Sequence, residues 1–111
     1  MDFTLLADAI RANRLIYTPH ALREAQQDQL SLMDIRVSVA SNGEIIEDYP
    51  HDPSGPSCLI YSELHEQEPL HTCWGYQQVI RYAILITVYR PDEKPEKWSP
   101  DFRQRRKKQG S

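Results

Sequence analysis

The sequence predicts an α+β domain in which N-terminal helices pack on one face of a four-stranded, mainly antiparallel sheet. Apolar residues recur at helical spacing through the first 42 residues. From Gly43 onward the period of the pattern changes to two, which is typical of half-buried strands. Three helices followed by four strands indicate a β-meander that the helices cover on one side.

Each predicted helix begins at a residue whose side chain can accept a hydrogen bond from a free backbone N–H. Asp2 has this position in the first helix and Ser31 in the third. Thr18-Pro19 opens the second, because Thr offers a capping hydroxyl and Pro suits the first helical position. Asn42-Gly43 ends the third. The predicted helices cover residues 2–13, 20–29 and 31–42.

Four β-rich segments follow, separated by turn residues, and they cover residues 44–49, 57–64, 70–76 and 79–89. The last is the longest and most apolar, so we expect it in the middle of the sheet. Its alternating pattern assigns one set of side chains to the helix-covered face: Ile80, Tyr82, Ile84, Ile86 and Val88. The opposite set includes Arg81, Thr87 and Tyr89, and we expect it to line a half-open face.

Composition indicates one globular domain, residues 1–101, followed by a basic tail, residues 102–111. Hydrophobic residues make up 40% of the chain and charged residues 26%, which excludes a disordered protein. The longest apolar run, residues 83–86, is too short to cross a bilayer. Asp2 stands where a signal peptide would have positive charge, so we expect a cytoplasmic protein with no membrane partner.

Charge is distributed unevenly between the tail and the rest of the chain. The first 101 residues hold 8 basic and 16 acidic groups. The tail has no acid and five basic residues: Arg103, Arg105, Arg106, Lys107 and Lys108. Such a tail suits a polyanion such as RNA. The alternatives are a solvated tail or one that folds back on the acidic surface, with Trp98 pinning it to the body.

No metal or cofactor site is predicted. Cys58 and Cys73 lack metal-ligand spacing and suit half-buried strand positions. A metal hydrolase is a weak interpretation, because the sequence has no His-x-x-x-His motif and no cluster of carboxylates.

Several segments occur in an order that resembles a known bacterial family. They are residues 17–23 (YTPHALR), 43–50 (GEIIEDYP), 69–71 (PLH) and 86–91 (ITVYRP), followed by Trp98 and Asp101-Phe102. Together they are similar to the family named domain of unknown function 4258, over about residues 16–106.

The resemblance implies the fold of RelE-like and BrnT-like ribonuclease toxins. It further implies a metal-independent RNA endonuclease of a type II toxin–antitoxin pair, with RNA as substrate and a small antitoxin protein as partner. The other hypothesis is a non-enzymatic relative of the same fold that binds a protein partner. The acidic loop of residues 48–52 would then be the place to look for the contact surface.

A ribonuclease of this kind catalyses phosphodiester transesterification with an acid, a base and a cation near the phosphate. His20 and His71 lie in the family-like segments and are candidate catalytic residues together with Tyr89. Candidates for RNA binding besides the tail are Arg23, Arg81 and Thr87. We predict that His20, Arg23, His71 and Tyr89 converge around one phosphate.

Each candidate also has a structural alternative. The histidines can hydrogen-bond neighbouring backbone, Tyr89 can be half-buried packing, and Arg81 can pair with a carboxylate across the sheet. His51 and His65 lie in predicted loops and are expected to be solvated.

Overall fold

A computed structural model describes residues 1–107, which form three α-helices and a five-stranded sheet. The helices are α1 (Phe3–Arg11), α2 (Pro19–Gln27) and α3 (Leu32–Asn42). The strands are β1 (Leu15–Tyr17), β2 (Glu44–Tyr49), β3 (Ser57–Glu63), β4 (Pro69–Gln77) and β5 (Tyr82–Tyr89). The predicted α+β class is confirmed, while Lys108 lies outside the described residues.

The sheet has the order β1-β5-β4-β3-β2, so the prediction of four strands is wrong. Strands β2 to β5 form the predicted antiparallel meander, and β5 lies inside the sheet. The additional strand β1 pairs in parallel with β5, with Leu15 opposite Ala83. Three residues are too few to show a period, and a parallel partner is distant in the chain, so local sequence does not indicate this strand.

The predicted helix starts are confirmed by their capping hydrogen bonds. The Asp2 carboxylate accepts the Thr4 N–H at 2.9 Å, and the Ser31 hydroxyl accepts the Asp34 N–H at 3.2 Å. The Thr18 hydroxyl accepts the Ala21 N–H at 3.1 Å. Caps of this kind stabilise a helix by about 1 kcal/mol each.

All three helices contribute to one core on one face of the sheet. Their buried residues are Leu6, Ala9, Ile10, Ala21, Ala25, Ile35 and Val39. From the strands the core includes Cys58, Ile60, Leu70, Trp74, Ala83, Leu85 and Val88. The prediction that the helices pack on one face is confirmed. None of the helices within residues 1–107 is both long and apolar enough to cross a membrane.

The predicted facing of β5 is wrong over most of its length. Ala83 and Leu85 lie in the core, whereas Ile86 is exposed. The register between β4 and β5 shifts, because Trp74 pairs with Leu85 while Cys73 pairs with Thr87. Ile86 is therefore an extra residue in β5, and it reverses the alternation. After it, Val88 is buried as predicted, and Thr87 and Tyr89 lie on the opposite face.

The start of the last strand also differs from the prediction. Residues 79–81 belong to the β4–β5 turn, in which the Gln77 side chain accepts the Val79 N–H at 3.1 Å. Arg81 ends this turn with a φ of 60°. Its carbonyl accepts a hydrogen bond from the Arg14 guanidinium at 2.9 Å.

Residues 98–107, here called the C-terminal strap, fold back against the sheet face opposite the helices. Trp98 is 3% exposed, and it forms an isolated antiparallel bridge with Arg105. The Trp98 ring packs on His71, with the ring centroids 4.3 Å apart. The predicted role of Trp98 in pinning the tail is confirmed, and the described part of the tail follows the fold-back alternative.

Candidate functional site

His71 lies at the centre of an aromatic cluster between the sheet and the strap. Tyr61 on β3 and Tyr89 on β5 are its register neighbours on either side. Trp98 covers it from the strap with an edge-to-face contact. His71 is 0% exposed, so the strap closes over the imidazole completely.

Both ring nitrogens of His71 make hydrogen bonds. Nε2 lies 2.7 Å from the Phe102 carbonyl oxygen, and Nδ1 lies 3.1 Å from the Tyr89 hydroxyl. A carbonyl only accepts, so Nε2 carries the proton of the neutral ring and Nδ1 accepts the Tyr89 hydroxyl proton. Burial lowers the pKa of His71 and raises the pKa of Tyr89 to about 12. Both groups are therefore neutral near pH 7.

Two arginines of the strap are bound to carboxylates of β2. Arg105 pairs with Glu47 at 2.7 Å, and its guanidinium lies over the Trp98 ring, 4.7 Å from the centroid. Arg103 pairs with Glu44 at 3.0 Å and lies over the Tyr61 ring. These two predicted RNA-binding residues are thus engaged within the chain.

His20 belongs to a second cluster, where α2 meets the edge of β5. Its Nε2 lies 3.1 Å from Oε1 of Glu24, one helical turn further on. The same oxygen accepts the Val88 N–H at 3.1 Å and the Thr87 hydroxyl. The side chain of His20 is 59% exposed and that of Glu24 is 23% exposed. The imidazole is thus open to solvent while its carboxylate partner is held on the sheet.

A cleft of about 570 Å³ connects the two clusters. Glu24 lines it from α2, Tyr89 from the end of β5, and Trp98 from the strap. Four cationic side chains share this lining with three acidic ones: Arg90, Lys94, Lys97 and Arg105 with Glu24, Asp28 and Glu93. Arg90 is paired with Glu68 at 2.9 Å. The cleft therefore combines cations, aromatic side chains and Glu24, the carboxylate that binds His20.

The structure brings only part of the predicted site together. His71 and Tyr89 are in contact, and Glu24 joins His20 to Thr87. Arg23 is exposed on α2, one turn after His20. Arg81 lies at the opposite end of β5 from Tyr89, about 26 Å away at strand spacing.

Two further basic residues of the described part of the tail are at the surface. Arg106 is exposed, and its guanidinium donates to the Trp98 carbonyl. Lys107 is exposed as well. Within residues 1–107, no three His, Cys, Asp or Glu side chains are grouped so that they could hold a metal ion.

Three residues that line the cleft were not predicted as site residues from the sequence: Glu24, Lys94 and Lys97. His20 and Glu24 are four residues apart, a spacing that places them on one face of a helix. This spacing alone could have predicted that the two side chains are in contact. Lys94 and Lys97 had no such indication, because two short 3₁₀ turns, Pro91–Glu93 and Pro95–Lys97, decide their positions.

Fold and site together define a small α+β protein with a mixed five-stranded sheet and a cleft between its second helix and its C-terminal strap. Residues 17–90 match the family described as Domain of unknown function (DUF4258), and the chain belongs to this family. The match ends before the strap, so Trp98 and the arginines that follow lie beyond the matched region. Neither a curated protein nor a solved structure matches the chain.

Proposed function

We propose that this protein is a toxin-like, metal-independent RNA endonuclease of a type II toxin–antitoxin pair, and that its fold is related to RelE-like toxins. The observation that carries the proposal is the contact between His20 and Glu24. The exposed imidazole of His20 is bound by this carboxylate, which also lines the cleft together with cationic and aromatic side chains. An oriented base and a nearby cation are two of the parts that this reaction requires, and solvent can supply the third, the acid.

In the proposed reaction, His20 takes the proton of a ribose 2′-hydroxyl. The 2′-oxygen forms a bond to phosphorus, the bond from phosphorus to the 5′-oxygen breaks, and the leaving oxygen takes a proton from solvent. Arg23, Lys94 and Lys97 stabilise the charge that develops on the phosphate. The products carry a 2′,3′-cyclic phosphate and a 5′-hydroxyl.

Tyr89 and His71 have supporting roles in this proposal. Because the Tyr89 hydroxyl donates to His71, the tyrosine serves the site through its ring, on which a base stacks. His71 is buried and does not touch RNA; it holds Tyr89 in place.

The proposal is tested with a labelled single-stranded RNA of mixed sequence, incubated with the purified chain in the presence of EDTA. We expect cleavage, and we expect His20→Ala to lower its rate by about 10²–10⁴-fold. His51→Ala is the matched control, since His51 is exposed in a loop far along the chain from α2. Equal cleavage by the wild type and His20→Ala would contradict the proposal, as would a wild type that leaves RNA intact.

The second candidate is a non-enzymatic protein of the same fold that binds a protein partner. It is favoured by the complete burial of His71, one of the predicted catalytic residues. Three acidic residues of the edge strand β2 already form ion pairs with cations of the chain itself: Glu44, Glu47 and Asp48. Co-expression with the product of an adjacent small reading frame, followed by size-exclusion chromatography, tests this candidate. A stable complex together with no RNA cleavage would favour it over the nuclease.

A further inference from the structure

Glu24 lies against the end of the β5 edge that β1 does not cover. β1 pairs with β5 only as far as Leu85. Thr18 follows β1 and continues the hydrogen bonding to β5. Its N–H and its hydroxyl both donate to the Leu85 carbonyl, at 3.2 and 3.1 Å. Beyond this point Oε1 of Glu24 accepts the Val88 N–H, a bond that a neighbouring strand would otherwise make.

The same oxygen atom therefore has three partners: the Val88 N–H, the Thr87 hydroxyl and Nε2 of His20. Two of these partners belong to the sheet, so the carboxylate is fixed independently of the histidine. A carboxylate only accepts hydrogen bonds, and hence Nε2 of a neutral His20 carries the ring proton. Nδ1 is left as the nitrogen that can take a proton from a ligand.

We propose that Glu24 is the positioning residue of the site: it fixes the tautomer and orientation of His20 and stabilises the imidazolium that forms when His20 accepts a proton. This inference rests on the nuclease function proposed above. The arrangement follows the general logic of a base that is oriented by a third group.

The alternative is that Glu24 only completes the sheet edge. Glu24→Gln separates the two roles, because the amide carbonyl can still accept from Val88 and Thr87 while the negative charge is lost. We expect kcat for RNA cleavage to fall about 10–100-fold, with KM and the unfolding midpoint nearly unchanged. Asp34→Asn is the control, since it removes an exposed carboxylate from α3 at a residue that does not line the cleft. We expect it to leave kcat within about twofold of the wild type.

A second measurement does not depend on activity. The ¹⁵N chemical shifts of the His20 ring report its tautomer in the free protein, and we expect the Nε2–H form. An Nδ1–H tautomer would overturn the role of Glu24 even if the chain cleaves RNA, and so would a Glu24→Gln variant with the kcat of the wild type. A wild type that cleaves no RNA but shows the Nε2–H form would instead contradict the proposed function.

Discussion

The hydroxyl of Tyr89 donates a hydrogen bond to Nδ1 of His71 on the adjacent strand, over 3.1 Å. The Phe102 carbonyl binds the other ring nitrogen, so the strap and β5 together hold one neutral tautomer of His71. His71 and Tyr89 together link the strap to the cleft, because His71 binds Phe102 of the strap and Tyr89 lines the cleft.

The first prediction concerns pH. Burial lowers the pKa of His71 below its ordinary value of 6.5 in the folded chain. As pH falls below about 6.5 the unfolded state therefore binds more protons than the folded state, and the free energy of unfolding decreases. We expect the loss of stability from pH 7 to pH 5 to be smaller in His71→Gln than in the wild type.

Urea unfolding at several pH values, followed by Trp fluorescence, measures this difference. His51→Gln serves as the control, because His51 is exposed. The burial argument fails if His71→Gln and the wild type show the same dependence on pH.

The second prediction concerns Trp98, which attaches the strap to the sheet. Its ring is almost completely buried against His71, and loss of a buried Trp side chain typically costs about 3–5 kcal/mol. We expect Trp98→Ala to lower the free energy of unfolding by an amount in this range. Trp74, which is fully buried in the core, remains as the fluorescent probe. A cost below about 1 kcal/mol would mean that the strap does not stabilise the fold.

The third prediction concerns Thr18, which positions the helix that carries His20. Its hydroxyl caps α2 and also donates to carbonyls of Leu85 and Ile86, both at 3.1 Å. Loss of such a cap costs about 0.5–2 kcal/mol, so we expect Thr18→Ala to destabilise the chain by at least this amount. Thr18→Ser keeps the hydroxyl and should recover most of the stability in thermal unfolding. Equal melting temperatures for Thr18→Ala and Thr18→Ser would contradict the prediction that the hydroxyl stabilises the chain.

The fourth prediction concerns salt. The logarithm of the affinity for single-stranded RNA falls with the logarithm of salt concentration by about 0.7 for each phosphate contact. We expect Lys97→Gln to lower this slope by about that amount. Arg103→Gln should lower it less, because Arg103 is already paired with Glu44. Fluorescence anisotropy at several salt concentrations measures the slope for both variants. If Arg103→Gln lowers the slope as much as Lys97→Gln does, then Arg103 leaves Glu44 and contacts the RNA.

Much of the fold could be predicted because its determinants are local. Helix caps act over two or three residues, as the bond from the Asp34 N–H to Ser31 shows. The change of period at Gly43 marks the boundary between the last helix, α3, and the antiparallel meander that begins with β2. Strands β2 to β4 were each predicted to within one residue at either end.

The candidate site was predicted less completely. His71 was chosen because it lies in a family-like segment, and Tyr89 because it ends the last predicted strand. The hydrogen bond between them shows that the fold brings these two residues together. A structural His71 bonded to backbone was one of the two alternatives for this residue, and the sequence did not decide between them because the burial depends on the strap. The role of Tyr89 toward RNA stays a prediction.

By itself the sequence determined the α+β class, the helix starts, the antiparallel meander and the family. Only the tertiary structure decided the parallel strand β1, the extra residue Ile86 in β5, the closure of the strap over His71 and the contacts of Glu24. These features depend on pairs distant in the chain: Glu24 and Thr87 are 63 residues apart, and Glu47 and Arg105 are 58 apart. Such contacts form only when the packed core brings the partners together, so no short segment specifies them.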